Sequence, residues 1–257
     1  MFTAIKYYGK ALPFLFKHKL GHFLLYPFVI TVLVIWGGAS ATTYITELLT
    51  TTMAQWFEGY RFLPDWLAWI TDVIYWVFWL IFKIILYFAM AFVGGSIILL
   101  LMSPVLTILS EKVAVALEKQ VPKFSIDQFT IDLIRAAGLA LKNGAIQFGL
   151  TLLCLLIGFI PVVGIVAPFL LFAINAYFFG YNFMDYTLER YQFSISQSNR
   201  FVFTKKFQAS GLGAPFTAWL LIPFIGSITS GFMAVVATVA ATLYLEESRN
   251  TGLSVKE

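Results

Sequence analysis

Four long tracts of this 257-residue chain carry almost no charge, and they limit what it can fold into. They run from Leu20 to Thr46, Val73 to Ser110, Asn143 to Met184 and Phe207 to Leu245; Lys83 is the one charged interruption. A bilayer core about 30 Å thick is crossed by roughly 20 apolar helical residues, so each tract has the scale of a membrane element. The rest of the composition agrees. Hydrophobic residues make up 60% and charged residues 12%, too few charges to cover a soluble fold of this size. The chain therefore reads as an all-α integral membrane protein and not as a soluble enzyme, a disordered chain or a nucleic-acid binder. Cys154 lies alone in an apolar stretch and reads as a buried packing residue.

Tract length separates spans from hairpins. Residues 20–46 form a first span, and the apolar run behind the N-terminal lysines is too long for a signal core, so it reads as a retained helix. Residues 73–110 form a second span of 38 residues, longer than the bilayer requires, with Pro104 disturbing its inner end. The last two tracts each hold a turn signal at mid-length: Ile160-Pro161-Val162-Val163-Gly164 and Ile222-Pro223-Phe224-Ile225-Gly226. Both therefore read as helical hairpins, over 143–184 and 207–245, partly or fully inserted in the membrane. The arm from Gly211 to Ile222 is too short to span unless Phe201 to Ser210 extends it. The two turns look like an internal repeat, because Asp185 and Glu246 follow Gly164 and Gly226 at nearly equal distances. Paired interrupted segments are a pointer to a transport site.

Charge sets the expected topology. Residues 1–19 carry four lysines and no acid, 111–142 carry five basic side chains and 185–206 carry four, whereas 47–72 carries Arg61 against four acids. Basic loops stay in the cytoplasm, so both termini are expected inside, with 47–72 an extracytoplasmic loop and 246–257 a cytoplasmic tail. Trp66, Trp69, Trp76 and Trp79 suit an outer interfacial belt. Residues 1–19 form an amphipathic helix with Lys6, Lys10 and Lys17 on one face; Pro13 should kink or divide it. Two further amphipathic helices are expected within 111–142, the second capped by Ser125.

No phosphate loop, zinc-protease motif or serine triad is present, and nothing calls for a cofactor. His18 and His22 share a helix face but lack a third metal ligand. Lys17, Lys19 and His22 cluster where the first span begins, and the N-terminus of a helix suits anions. Lipid headgroups are the other expected contact of this cluster. His22 and Glu111 are the titratable groups expected near an ion path; pore-lining or coupling roles fall to Lys17 and Glu111.

The chain also resembles the CysZ family of bacterial sulfate permeases. The residues that carry the resemblance are Phe23-Leu24-Leu25-Tyr26-Pro27, Ser103-Pro104, Glu111-Lys112-Val113, Ile160-Pro161-Val162-Val163-Gly164, Asp185-Tyr186, Leu212-Gly213 and Ala237-Thr238. The resemblance implies two long transmembrane helices, two partly penetrating hairpins, a homo-oligomer, and uptake of sulfate for cysteine synthesis without ATP hydrolysis. It places an anion site at Lys19, Gly21 and His22, where the family has a Gly-Leu-Arg-Arg-like stretch, and adds Arg135, which matches a family arginine. Both arginines of that stretch are absent here, and bidentate guanidinium chemistry goes with them. The hairpin turns carry Pro161, Gly164, Pro223 and Gly226, the last where the family often has Asn. An alternative of another class is a non-transporting membrane scaffold or envelope-stress protein.

Overall fold

A computed structural model describes residues 2–59, 68–117, 126–158, 160, 162–222 and 224–250. Pro161, Pro223, Trp66 and Ser125 lie outside the described residues. Those described are helical, without strands: α1 (Phe2–Lys17), α2 (Leu25–Gly59), α3 (Ala68–Ala116), α4 (Ile126–Gly158), α5 (Ala167–Arg190), α6 (Ile195–Thr204), α7 (Lys206–Leu220), α8 (Ile225–Ile228) and α9 (Ser230–Asn250). Short 3-10 turns at Gly21–Leu24 and Val163–Val166 lead into α2 and α5. Four stretches are long and apolar enough to cross a membrane: Gly21–Leu48, Ile98–Ala116, Leu141–Gly158 and Gly164–Arg190. The protein is an all-α membrane protein.

The helices run further than the charge boundaries suggest. α2 has 35 residues and continues through Glu47 to Gly59, so much of the expected 47–72 loop is helix. α3 has 49 residues, roughly 73 Å at ~1.5 Å each, and passes through Pro104 to Ala116. The expected amphipathic helix around Glu111 is thus the end of α3. Likewise α4 joins the amphipathic segment before Lys142 to the first hairpin arm without a break. Polarity marks where a helix leaves the apolar core, whereas only lost hydrogen bonds or backbone strain end it. Pro13 does not divide α1. The N–H it lacks would have bonded the carbonyl of Gly9, and that residue is exposed, where other donors can reach it.

The core forms around α5, α7 and α9. At the α5–α7 crossing the two backbones touch. A Cβ on Gly180 would lie 1.8 Å from the Ala209 carbonyl oxygen, and one on Gly213 would lie 1.9 Å from that of Ala176. The pattern is Ala176-xxx-Gly180 against Ala209-xxx-Gly213, two small residues one turn apart on each helix. Helices in lipid gain little from burying apolar surface, so close van der Waals approach of this kind holds them together. α9 fills the centre: Ala234, Val235, Ala237, Thr238, Val239, Ala240, Ala241 and Thr242 are all buried. Thr242 meets Thr187 at 3.1 Å and Ser110 at 3.3 Å, which ties α9 to α5 and α3 through hydroxyls. Ala234, Thr238 and Thr242, small residues one turn apart on α9, are thus packed inside this chain.

α1 lies on this core. Its buried stripe is Ala4, Tyr7, Ala11 and Leu15. Tyr7 packs edge-on against Tyr244 of α9, and the Tyr8 hydroxyl donates to the Leu212 carbonyl of α7 at 2.5 Å. Lys10 pairs with Glu247 at 3.2 Å across exposed surface.

The two Pro-Gly turns share one backbone. Val162 has φ 70° and ψ −50°, and Phe224 has φ 61° and ψ −54°. The Gly164 N–H donates to Ile160 O at 2.8 Å, and the Gly226 N–H donates to Ile222 O at 2.9 Å. A Cβ on either glycine would lie 2.4 Å from a carbonyl of the preceding helix, that of Gly158 or Trp219. Only glycine fits there, which accounts for the recurring pattern. Non-glycine residues at positive φ are strained, and here the strain falls on equivalent positions of both turns. The tips expose Val162, Ile165, Phe224 and Ile225, side chains suited to hydrocarbon rather than water.

The α5–α7 contact gives a direct stability test. Gly180→Ala should cost at least the ~1–3 kcal/mol typical of overpacking, because its methyl group meets backbone that cannot rotate away. Gly149→Ala, where a Cβ meets nothing within 4 Å, should be neutral or slightly stabilising. Thermal unfolding of the purified protein in one detergent compares the two.

Candidate functional site

A cleft of about 660 Å³ opens between α3, α4, α5, α7 and the α8–α9 junction. Its polar lining comes from side chains at helical spacing. α5 contributes Asn175, Asn182, Asp185 and Glu189, while α4 contributes Gln147 and Thr151. Ser103, Thr217, Ser227 and Ser230 add hydroxyls from α3, α7 and the α8–α9 region. Leu99, Leu139, Phe148 and Phe179 supply apolar walls. Gln147 Nε2 donates to Asn175 Oδ1 at 2.7 Å, so the amides of the two arms face each other across the cleft. In a membrane such groups are costly unless they pair or meet water.

Of the two acids that line the cleft, Asp185 meets an arginine. Arg135 makes a two-pronged pair with Asp185, with both N···O distances at 3.0 Å. Its Nε donates to Phe193 O at 2.7 Å and its NH2 group donates to Ser198 Oγ at 2.7 Å. Four of its five N–H donors are thereby used. Burial works against the Arg135 cation, but Asp185, with help from Glu189, more than offsets this and raises its pKa. Glu189 is buried and accepts from Thr107 Oγ1 at 3.4 Å. Below the cleft, Arg190 and Glu246 form a second, fully buried pair. Arg190 NH1 donates to Ser110 O at 3.1 Å, and the Tyr191 hydroxyl donates to Glu246 at 2.5 Å.

The acids that follow the two turns at equal distances, Asp185 and Glu246, thus each meet an arginine. Amides and hydroxyls such as those at the cleft can replace part of the hydration shell of a passing ion.

The residues expected to bind an anion lie elsewhere. Lys19 ends α1 in the left-handed region, at φ 58°. The Leu20 N–H donates to Leu15 O at 2.8 Å and the Lys19 N–H to Phe16 O at 3.2 Å, a helix-ending motif usually built on glycine. Lys17, Lys19 and His22 are exposed, and His22 Nδ1 lies 3.1 Å from Lys19 O. Gly21 makes room for the Phe16 ring, 3.3 Å from where its Cβ would be. The structure brings Lys19, Gly21 and His22 together at the mouth of the first span. Arg135 is bound to α5 and α6 instead, and Glu111 is half-buried near the end of α3.

Comparison with known proteins places the chain. Residues 7–230 match the model of the family described as sulfate transporter CysZ/etoposide-induced protein 2.4. The chain belongs to this family. Proteins named sulfate transporter CysZ from Pseudomonas paraeruginosa and Pseudomonas aeruginosa are 24% and 23% identical to it over 245 residues, covering 93% of this chain and 92% of each relative. The resemblance read from the sequence motifs is thereby shown.

Within this CysZ-family chain, sequence reasoning singled out neither Gln147, Asn175 and Asn182 nor the pair Arg190–Glu246. A signal for the amides was present. Four carboxamides, Asn143, Gln147, Asn175 and Asn182, stand in a mostly apolar tract, and Asn175 and Asn182 are seven residues apart on one helix face. Arg190 carried the signal of a lone cation ending an apolar helix, but its partner lies 56 positions away.

Removing one member of the Arg135–Asp185 pair leaves a poorly solvated charge. Arg135→Gln or Asp185→Asn alone should destabilise by about 3 kcal/mol, and the double variant should recover most of that loss. A double-mutant cycle on thermal or denaturant unfolding measures the coupling.

Proposed function

We propose that the chain is a sulfate permease of the bacterial inner membrane, supplying sulfur assimilation without hydrolysing ATP. The observation that carries this reading is the amide- and hydroxyl-lined cleft inside a bundle that belongs to the CysZ family. The relatives named as sulfate transporters match the chain nearly end to end, which supports sulfate as the anion and transport rather than an enzymatic reaction.

Lys17, Lys19, Gly21 and His22 would meet the anion at the cytoplasmic mouth of the first span, where an imported anion leaves the path. Gln147, Asn175 and Asn182 would carry it through the bundle. Arg135 holds α4, α5 and α6 in register through Asp185 and Ser198, with one N–H left for a passing anion. The basic segments support a cytoplasmic position for both termini. The 15-residue α7 covers about 22 Å, so the second hairpin enters the bilayer and returns, with its apolar tip in hydrocarbon.

Energetics bound the mechanism. Carrying a divalent anion inward against ~100 mV costs about 4.6 kcal/mol, at ~2.3 kcal/mol per charge. Net uptake therefore draws on a sulfate gradient, on co-transported protons, or on rapid consumption inside. Glu111 and His22 are the groups expected from the sequence to couple protons, although neither lines the cleft.

Purified protein in liposomes should admit radiolabelled sulfate saturably, with thiosulfate competing better than chloride. Gln147→Leu combined with Asn182→Leu should cut the rate about tenfold or more, as expected when an ion loses part of its replacement hydration. Lys19→Ala with His22→Ala should lower sulfate flux without unfolding the protein. If folded wild-type protein admits no anion, the scaffold reading takes the place of this one.

A further inference from the structure

Between Glu189 and Glu246 the chain contains no acidic residue, yet it carries Arg190, Arg200, Lys205 and Lys206. Arg190 is consumed by Glu246. The other three lie at the α6–α7 junction, and among the described residues none of them enters an ion pair. Lys206 sits between two aromatic rings, its Nζ 5.3 Å from the centroid of Phe203 and 5.6 Å from that of Phe207. Both rings are about two-thirds exposed. The junction is firmly placed. α6 starts at a capping box formed by Ser194 and Gln197 and buries Ser198 and Val202, and Ser198 is held by Arg135. Its outer edge is thus a fixed wedge of two bare phenyl rings around an ammonium group, with the exposed Arg200 one turn before Phe203 on α6.

Such a wedge is poorly suited to water and well suited to the boundary between headgroups and acyl chains. Rings bury in the acyl region while a lysine between them reaches the phosphate layer. We propose that Phe203, Lys206 and Phe207, with Arg200, form a binding site for the phosphate of an anionic phospholipid. The occupant is a lipid rather than a free anion because two rings flank the cation, and rings add nothing to capture of a small hydrophilic ion. The lipid pins the base of the α7–α9 hairpin to the leaflet it enters. The inference rests on the membrane fold and not on sulfate transport.

The test titrates purified protein with phosphatidylglycerol and, separately, phosphatidylcholine, counting bound lipid by native mass spectrometry. Lys206→Gln should weaken the tightest phosphatidylglycerol site about fivefold, the factor that one basic residue is worth at an anionic surface. It should leave phosphatidylcholine binding unchanged, and Lys206→Arg should retain the site. Phe203→Ser with Phe207→Ser should weaken both lipids. Lys10→Gln, at a lysine already paired with Glu247, serves as the control and should change neither. Unchanged phosphatidylglycerol affinity in folded Lys206→Gln protein overturns the proposal. So does displacement of the bound lipid by inorganic sulfate or phosphate, which would make this a free-anion site.

Discussion

Everything else in this structure depends on the backbone contact between α5 and α7. Two helices can touch at carbonyl distance only where neither presents a side chain, and Gly180 and Gly213 meet that condition at the same crossing. The contact fixes the rotation of α5 about its own axis. With Ala176 and Gly180 turned toward α7, Asn175 and Asn182 face the space beside α4. A larger residue at the crossing would push the helices apart and swing the amides with them. The cleft is therefore a consequence of small residues that do not themselves line it.

The second constraint is the treatment of charge. Among the described residues, Arg135 pairs with Asp185 and Arg190 with Glu246, while the buried Glu189 accepts from Thr107. In a low-dielectric interior an unmatched charge costs several kcal/mol, so these pairs chiefly remove a penalty. They also fix geometry, because each joins segments distant in sequence. Arg135 holds α4 to α5 and α6, while Arg190 draws together α3, α5 and α9. The cleft inherits a polar wall in which Asp185 is paired with an arginine and Glu189 accepts from a hydroxyl.

Much of the fold was legible in the sequence because the bilayer makes apolar length and turn signals informative. The tracts marked the helices, and the two Pro-x-x-Gly patterns marked turns whose described residues share one backbone conformation. Helix ends were less legible. Glu47, Glu111 and Lys142 mark where polarity changes, and nothing there stops a helix, so α2, α3 and α4 run on. The candidate site was only half legible. Lys19, Gly21 and His22 are neighbours in sequence, and the family motif pointed to them. The amide cleft is assembled across helices, and no local pattern says that Gln147 and Asn175 will meet. The Gly180–Gly213 crossing was equally hidden, since Ala-xxx-Gly motifs do not name their partners.

The account's central claim is that the amide cleft is the path of the anion. The most direct measurement places one cysteine at Asn182, in a background where Cys154 is replaced by Ala, and follows its modification by a membrane-impermeant thiol reagent in reconstituted vesicles. The account predicts steady modification that slows as sulfate is added and does not slow with an equal concentration of a large organic anion. A cysteine that never reacts, or one whose rate ignores sulfate, would contradict it.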